Sequence, residues 1–453
     1  MDSIYSSGLV IAAGTYDGVL AGWEFREQIN TSTKTSSLNL SFATTVHDGS
    51  IRSLSIAGNV NKNEPGSLLS CSYDETLKTH DWNKRMTSSG EVRTPSGFGT
   101  PTCSAFAPPT AHSTHCIVGF NNDGKICIYK KRDWSIQHVL AGHEGGVGSL
   151  AVHPTGKIIL SGGVSDGKLK LWDLTKGRLS FVNKIDPVAT RSGRAHYDPI
   201  SSVIWSKDGD FYALSHGAHI TVREVSTGKG LLDVNLPSRV NQVALMIGPE
   251  GIFVVAACND GSLPVLAVED NGEDSRRAIM AIEPVDSHLA REERFKCIQS
   301  VRDYYVVTAN SAGVVCLMNL QGAINMILSE PQEEDINTTV DDDDESGDDD
   351  DDTELAVEMV ESVQLGTGAR ITCIAAWCKT MESRIEEEDE QQEVIRTKMK
   401  KNVAEEKRRT PKRKIISKAD VAMDPEAVKR ARSLVAKAKK FKRKREKKGK
   451  KKV

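Results

Sequence analysis

His143, Ser161 and Asp166 are residue types that carry acid and base chemistry, and they fall within one stretch, residues 141–174, that reads AGHEGGVGSLAVHPTGKIILSGGVSDGKLKLWDL. Residues 162–169, GGVSDGKL, come within one residue of a phosphate-binding loop, whose pattern ends in Lys-Ser or Lys-Thr. That reading fails on chemistry: Leu169 cannot ligate Mg²⁺, Asp166 would meet phosphate with like charge, and KLKLWDL alternates as a strand where the loop needs a helix N-terminus. Catalysis by His143 and Asp166 is the other reactive reading. No GxSxG elbow, HExxH or similar local constellation accompanies the pair, and a triad assembled from distant residues stays open at this level. The structural reading is stronger. His, Ser, Asp and Trp can form a buried hydrogen-bonded set that ties an inter-strand turn to the neighbouring strand, and here that set is His143, Ser161, Asp166 and Trp172. Ser161 and Asp166 stand one residue further apart than usual, so a bulge is expected to disturb the set.

The elements that position these residues repeat. Short strand-like runs end in a turn with Asp-Gly or a relative of it, and about six residues past the Asp comes an aromatic or its substitute. Tyr16-Asp17-Gly18 leads to Trp23, Tyr73-Asp74-Glu75 to His80 with Asp81 following, and Asn122-Asp123-Gly124 to Tyr129. The fullest copy adds a Gly142-His143 pair, a turn from His153 to Gly156, a Ser161-Gly162 step and a Trp172-Asp173 end. Later copies are worn: Asn259-Asp260-Gly261 leads to Leu266, Ala312-Gly313 to Met318, and one around Gly217 ends at Arg223. This is the WD-repeat signature, present seven times. A unit of roughly 40 to 60 residues holds a four-stranded sheet that cannot bury both faces alone, so units must stack around an axis. The expected fold is all-β: a seven-bladed WD40 β-propeller over residues 1–377.

The first copy starts too early to hold a whole blade, since residues 9–14 and 19–25 already read as its second and third strands. Residues 369–377, ARITCIAAW, are apolar and alternating, and no turn copy follows them. They are expected to return and complete the first blade, removing the exposed edge. Residues 315–320 and 357–364 then read as the third and fourth strands of blade seven, with 330–354 as a loop inserted between them. That loop includes DDDDESGDDDDD, which repels itself and is expected to be disordered. It lacks the spaced ligands and the glycine of a calcium-binding EF-hand. Ser346, followed by Gly347, Asp348 and Asp349, has the form of a site for an acidic-directed kinase.

The formal net charge of −3 is a cancellation. Residues 330–354 carry about −15 and those after Arg396 about +20, a block asymmetry typical of interaction tails. Beyond Trp377 the composition turns charged, so residues 378–453 form a Lys/Arg-rich tail. Asp424-Pro425-Glu426 is a helix start, with Asp as N-cap and Pro in the first turn, and a helix is expected over 424–446. Two basic clusters stand out: Lys407, Arg408, Arg409, Lys412, Arg413 and Lys414, then Lys442, Arg443, Lys444 and Arg445. Such a tail reads as a nuclear or nucleolar address and as a salt-dependent, sequence-blind RNA contact, because no aromatic residues interleave the charges. Its Ala-rich apolar face is too thin for membrane binding. The 38% apolar content suffices for a sizeable core, and no apolar signal segment opens the chain. Nine cysteines without a CxxC pair or a metal-ligand spacing read as free thiols of a reducing compartment.

Residues 123–185 contain DGKICIYKKRDWSIQHVLAGHEGGVGSLAVHPTGKIILS and KLKLWDLTKGRLSFVNKI. Together with the ARITCIAAW strand and the Lys-rich end, they resemble the WD-repeat p21-activated kinase-interacting protein 1 family, whose fungal counterpart acts in large ribosomal subunit assembly. The resemblance spans most of 10–377, is weak in blades five to seven, and does not extend to the acidic insert. It implies a non-enzymatic nuclear and nucleolar scaffold for 60S assembly and pre-rRNA processing. The implied partners are pre-60S ribosomal proteins, assembly factors and pre-rRNA. The alternative it implies is an adaptor that negatively regulates p21-activated kinase, although no residue here is matched to that role. No cofactor, metal or membrane partner is expected.

Overall fold

The computed structural model describes residues 8–30, 33–59, 64–84, 87–108, 115–187, 196–249, 251–268, 279–282, 293–302, 304–329, 357–366 and 368–379. The acidic insert, Ser346, the tail clusters and the expected helix at 424–446 lie outside the described residues. Met1–Ser383 clusters as one compact unit.

Seven four-stranded antiparallel sheets make up this unit, each built from strands adjacent in sequence except one. The innermost strands of blades two to seven are Ile51–Asn59, Pro101–Phe106, Val147–Val152, Ile200–Trp205, Val240–Gly248 and Phe295–Arg302. In blade one the innermost place is taken by Ile371–Trp377, which pairs with Val10–Thr15 in a register that sets Ala12 opposite Ala375. Each innermost strand neighbours the next, and Ile371–Trp377 touches both Phe295–Arg302 and Ile51–Asn59, so the ring is closed. The seven-bladed β-propeller expected from the repeats is what forms.

The core lies between blades, which explains why many strands read as continuous apolar runs instead of alternating. Val10–Thr15 is buried along its whole length because both faces of its sheet are covered. Between blades three and four, Ile117, Ile126 and Ile128 meet Ile159 and Trp172. Between blades seven and one, Val307, Val315 and Leu317 meet Ile11, Trp23 and Ile371.

Two backbone features recur more faithfully than any side chain. All seven blades slip register by one residue at the start of the innermost strand. Several of the residues set aside there reach the next blade. The Thr102, Ser201 and Asn241 side chains donate to the Val147, Val240 and Phe295 carbonyls at 2.6, 3.0 and 2.6 Å. In the closing strand, Thr372 Oγ1 donates to the Ile51 carbonyl at 2.5 Å. A second slip falls immediately before Trp23, His80, Tyr129, Trp172, Arg223 and Met318, between third and fourth strands. These are the residues aligned from sequence at the Trp position, so worn copies such as Arg223 and Met318 keep the geometry without the side chain. The sixth blade's outer ladder shows no such slip.

A short helix departs from the all-strand expectation. Gln321–Ser329 follows the third strand of blade seven, Val314–Asn319, and Asn319 Oδ1 accepts the Gln321 amide at 3.1 Å as an N-cap. Its Ala323, Ile324 and Ile327 enter the core between blades six and seven.

Candidate functional site

His143, Ser161, Asp166 and Trp172 come together in blade four. His143 Nδ1 is 3.0 Å from Asp166 Oδ2, and His143 Nε2 is 2.7 Å from Ser161 Oγ. A carboxylate can only accept, which puts the ring proton on Nδ1 and leaves Nε2 to accept from the Ser161 hydroxyl. Trp172 Nε1–H then donates to Ser161 Oγ at 2.8 Å. The bulge expected here does not arise. The ladder from Ile158 opposite Asp173 to Gly162 opposite Leu169 runs without a slip. The extra residue is taken up in the turn, where glycine at 163 is required: a Cβ there would overlap the Asp166 carboxylate and lie 2.7 Å from His143 Nδ1. Lys168–Asp173 is a strand, which removes the helix N-terminus that a phosphate loop would need.

The connectivity Ser–His–Asp is that of a hydrolase triad, and burial decides against it. The Ser161 and His143 side chains are closed off from solvent, and the Ser161 oxygen already accepts the Trp172 indole N–H, so no substrate carbonyl can reach it. Burial alone would raise the Asp166 carboxyl, but the His143 hydrogen bond and charge, with the Lys168 and Glu144 amides, hold it below its ordinary value. It stays a carboxylate and acts as the anchor of the turn.

A second set, in blade two, escaped the sequence reading apart from Asp74 and His80. His47 Nδ1 is 2.9 Å from Asp74 Oδ2, and His47 Nε2 is 2.8 Å from Ser70 Oγ. His80 Nε2, 3.1 Å from Ser70 Oγ, takes the donor role of the indole in blade four. Its Nδ1 is buried with no partner among the described residues, and burial, together with the His47 and Lys78 charges, drives the His80 pKa down to about 4. The signal that would have revealed this set is a His-acid-Gly step ahead of the inner strand, His47-Asp48-Gly49, matching His143-Glu144-Gly145.

These sets stiffen one end of the blades. There, in six of the seven blades, the turn between second and third strands is tied to the entry of the innermost strand by one backbone bond: Tyr16 N–H to the Arg370 carbonyl, Tyr73 to Ser50, Asn121 to Thr100, Val164 to Gly146, Asn259 to Arg239 and Ser311 to Arg294. Tyr16 and Tyr73 hold the same place in adjacent blades and are 62% and 63% exposed. Exposed aromatic rings on a braced backbone, with the exposed Arg370 beside Tyr16, form a surface suited to protein contact.

All nine cysteines are free thiols and none is exposed. Burial pushes Cys71, Cys103 and Cys373 up to about 12, so they pack as small apolar groups. Among the described residues no group of His, Cys, Asp and Glu is arranged to hold a metal ion, and no helix is long and apolar enough to cross a membrane.

The fold and the buried sets define the class: a seven-bladed WD-repeat β-propeller, the architecture of a binding scaffold. The family model for the WD domain, G-beta repeat, matches residues 134–173, which run from the outermost strand of blade three through the third strand of blade four and hold the complete His–Ser–Asp–Trp set. The relatives are more particular. The chain is 24% identical over 306 residues to the p21-activated protein kinase-interacting protein 1-like protein of Xenopus laevis, covering 68% of each chain. It is 22% identical over 382 residues to the protein of that name from Danio rerio, covering 83% of this chain and 82% of the relative. It is 25% identical over 273 residues to Shk1 kinase-binding protein 15 of Schizosaccharomyces pombe, covering 60% and 67%. The resemblance drawn from the third and fourth blades and the closing strand is thus borne out.

Proposed function

We propose that the chain is a non-enzymatic scaffold of 60S ribosomal subunit assembly in the nucleolus. The propeller docks pre-60S ribosomal proteins and assembly factors, and the Lys-rich tail contacts pre-rRNA without reading its sequence. The observation that carries the scaffold reading is the braced end of the blades, where Tyr16 and Tyr73 are offered to solvent while the reactive residue types of the sets in blades two and four are buried. Contact residues stand outside and the acid-base groups hold the frame. The tail supports the RNA part: its clusters at 407–414 and 442–445 would displace counterions from a phosphate backbone, giving binding that weakens steeply with salt. Assembly of the 60S subunit is what the family resemblance implies.

The names of the relatives favour a second reading, an adaptor that restrains a p21-activated kinase. The two readings part at the tail, which the first needs for delivery and RNA contact and the second does not. Affinity purification of the tagged full chain beside a chain ending at Lys379, with identification of co-purifying RNA and protein, tests the choice. The first reading expects pre-60S proteins and rRNA precursors with the full chain and fewer with the shortened one. A kinase recovered equally by both, without rRNA precursors, would replace it with the second.

A further inference from the structure

The GRLSFVNKI stretch is left unused by the buried sets and by the braced face. Arg178–Lys184 is the outermost strand of blade four, paired on one side with Lys168–Asp173 and, among the described residues, with no strand on the other. In blade five the outermost strand, Gly230–Asn235, turns its apolar residues inward and buries Leu232 and Val234. Blade four does the opposite. Leu179, Phe181 and Val182 are 42%, 61% and 36% exposed.

The apolar surface continues onto blade three, whose outermost strand Ile136–Leu140 exposes Ile136 and Val139. The two margins abut, since a Cβ on Gly177, just before the blade-four strand, would lie 2.7 Å from the His138 ring. Five of the eleven large apolar side chains left exposed among the described residues therefore lie on these two adjoining strands, a concentration that marks an interaction site.

Ser180 is the residue set aside by the register slip, so the regular run available for pairing is Phe181 to Lys184. The charges of the whole strand Arg178–Lys184 are of one sign. Arg178 and Lys184 bracket the apolar residues and are exposed, and the strand carries no acidic residue. A second copy of the same strand would set these positive charges against their like. An edge that no strand pairs among the described residues, with an apolar centre and cationic ends, fits an extended segment of opposite charge.

We propose that the outer edge of blade four accepts a β-strand from a partner protein, apolar at its centre and acidic at both ends. This rests on the reading of the chain as a protein-binding scaffold and not on which assembly it serves. The test places a photo-crosslinking phenylalanine analogue at Phe181 in the full chain, expressed in its own cells, with Leu40, an exposed residue on the outermost strand of blade one, as the control position. The cross-linked segment is identified by mass spectrometry. The expected product joins position 181, and not position 40, to a segment with acidic residues on both sides of apolar ones. Paired Arg178→Glu and Lys184→Glu substitutions should cut its yield by about tenfold with unchanged melting. A product containing RNA, a second copy of this chain or a segment without flanking acids, no product, or a yield unmoved by charge reversal would overturn the proposal. Because the segment is read from its own sequence, the result stands apart from whether its owner belongs to ribosome assembly.

Discussion

A buried imidazole that donates where an indole usually would can also be protonated, and His80 brings that liability into blade two. Its ordinary pKa is 6.5 and burial holds it near 4 in the fold. The unfolded chain therefore binds a proton that the folded blade refuses. The stabilising contribution is fully present above pH 6.5 and is lost as pH falls toward 4, by about 2 to 3 kcal/mol. His47, also lowered mainly by burial, works in the same direction. Thermal melting followed across this range should show the loss. His80→Phe should flatten the slope while removing about 1 kcal/mol at neutral pH with the donor to Ser70. An unchanged slope would show that His80 does not titrate in this way. Blade four, whose donor is Trp172, has no such liability at that position, but it depends on glycine 163. Gly163→Ala should displace Asp166 from His143 and lower stability by about 2 to 4 kcal/mol, read as a shift in the denaturant midpoint.

Among elements, the helix Gln321–Ser329 offers a graded test of the packing between blades six and seven. Ile324 is fully buried and Leu328 is 46% exposed on the same nine-residue helix. Ile324→Ala should remove about 3 kcal/mol, Asn319→Ala about 1 through loss of the N-cap, and Leu328→Ala under about 1. Equal effects at Ile324 and Leu328 would mean that the helix does not seat as described. This helix was invisible in the sequence because a short apolar run between a strand and an acidic block carries too few turns to show its period. The Trp-position residues were legible, down to Arg223 and Met318, because the Asp-to-Trp distance is fixed by hairpin geometry. The slip at each inner strand was not. Its seven positions include Arg52, Thr102, Gly148 and Lys296, and a backbone feature that tolerates such different side chains leaves no pattern to read. The blade-two set was half legible: Asp74 and His80 belong to the turn copy, whereas His47 lies 27 residues before Asp74, and Ser70, only four residues before it, lacks the glycine that follows Ser161 in blade four.

At the scale of the molecule, the ring joins strands separated by nearly the whole domain. Val10–Thr15 and Ile371–Trp377 share a sheet, and Thr372 binds the Ile51 carbonyl in the next blade. Without the closing strand, Val10–Thr15 and the inner strands of blades two and seven would lose a neighbour together, exposing apolar edges prone to association. Chains ending at Lys379 and at Gly368 differ by little more than this strand. Melting and sedimentation of the two, side by side, test the closed ring most directly. The account predicts a monomer with one cooperative transition for the first, and an unfolded or aggregating product for the second. A soluble, monomeric chain ending at Gly368 that melts cooperatively at the same temperature would contradict it.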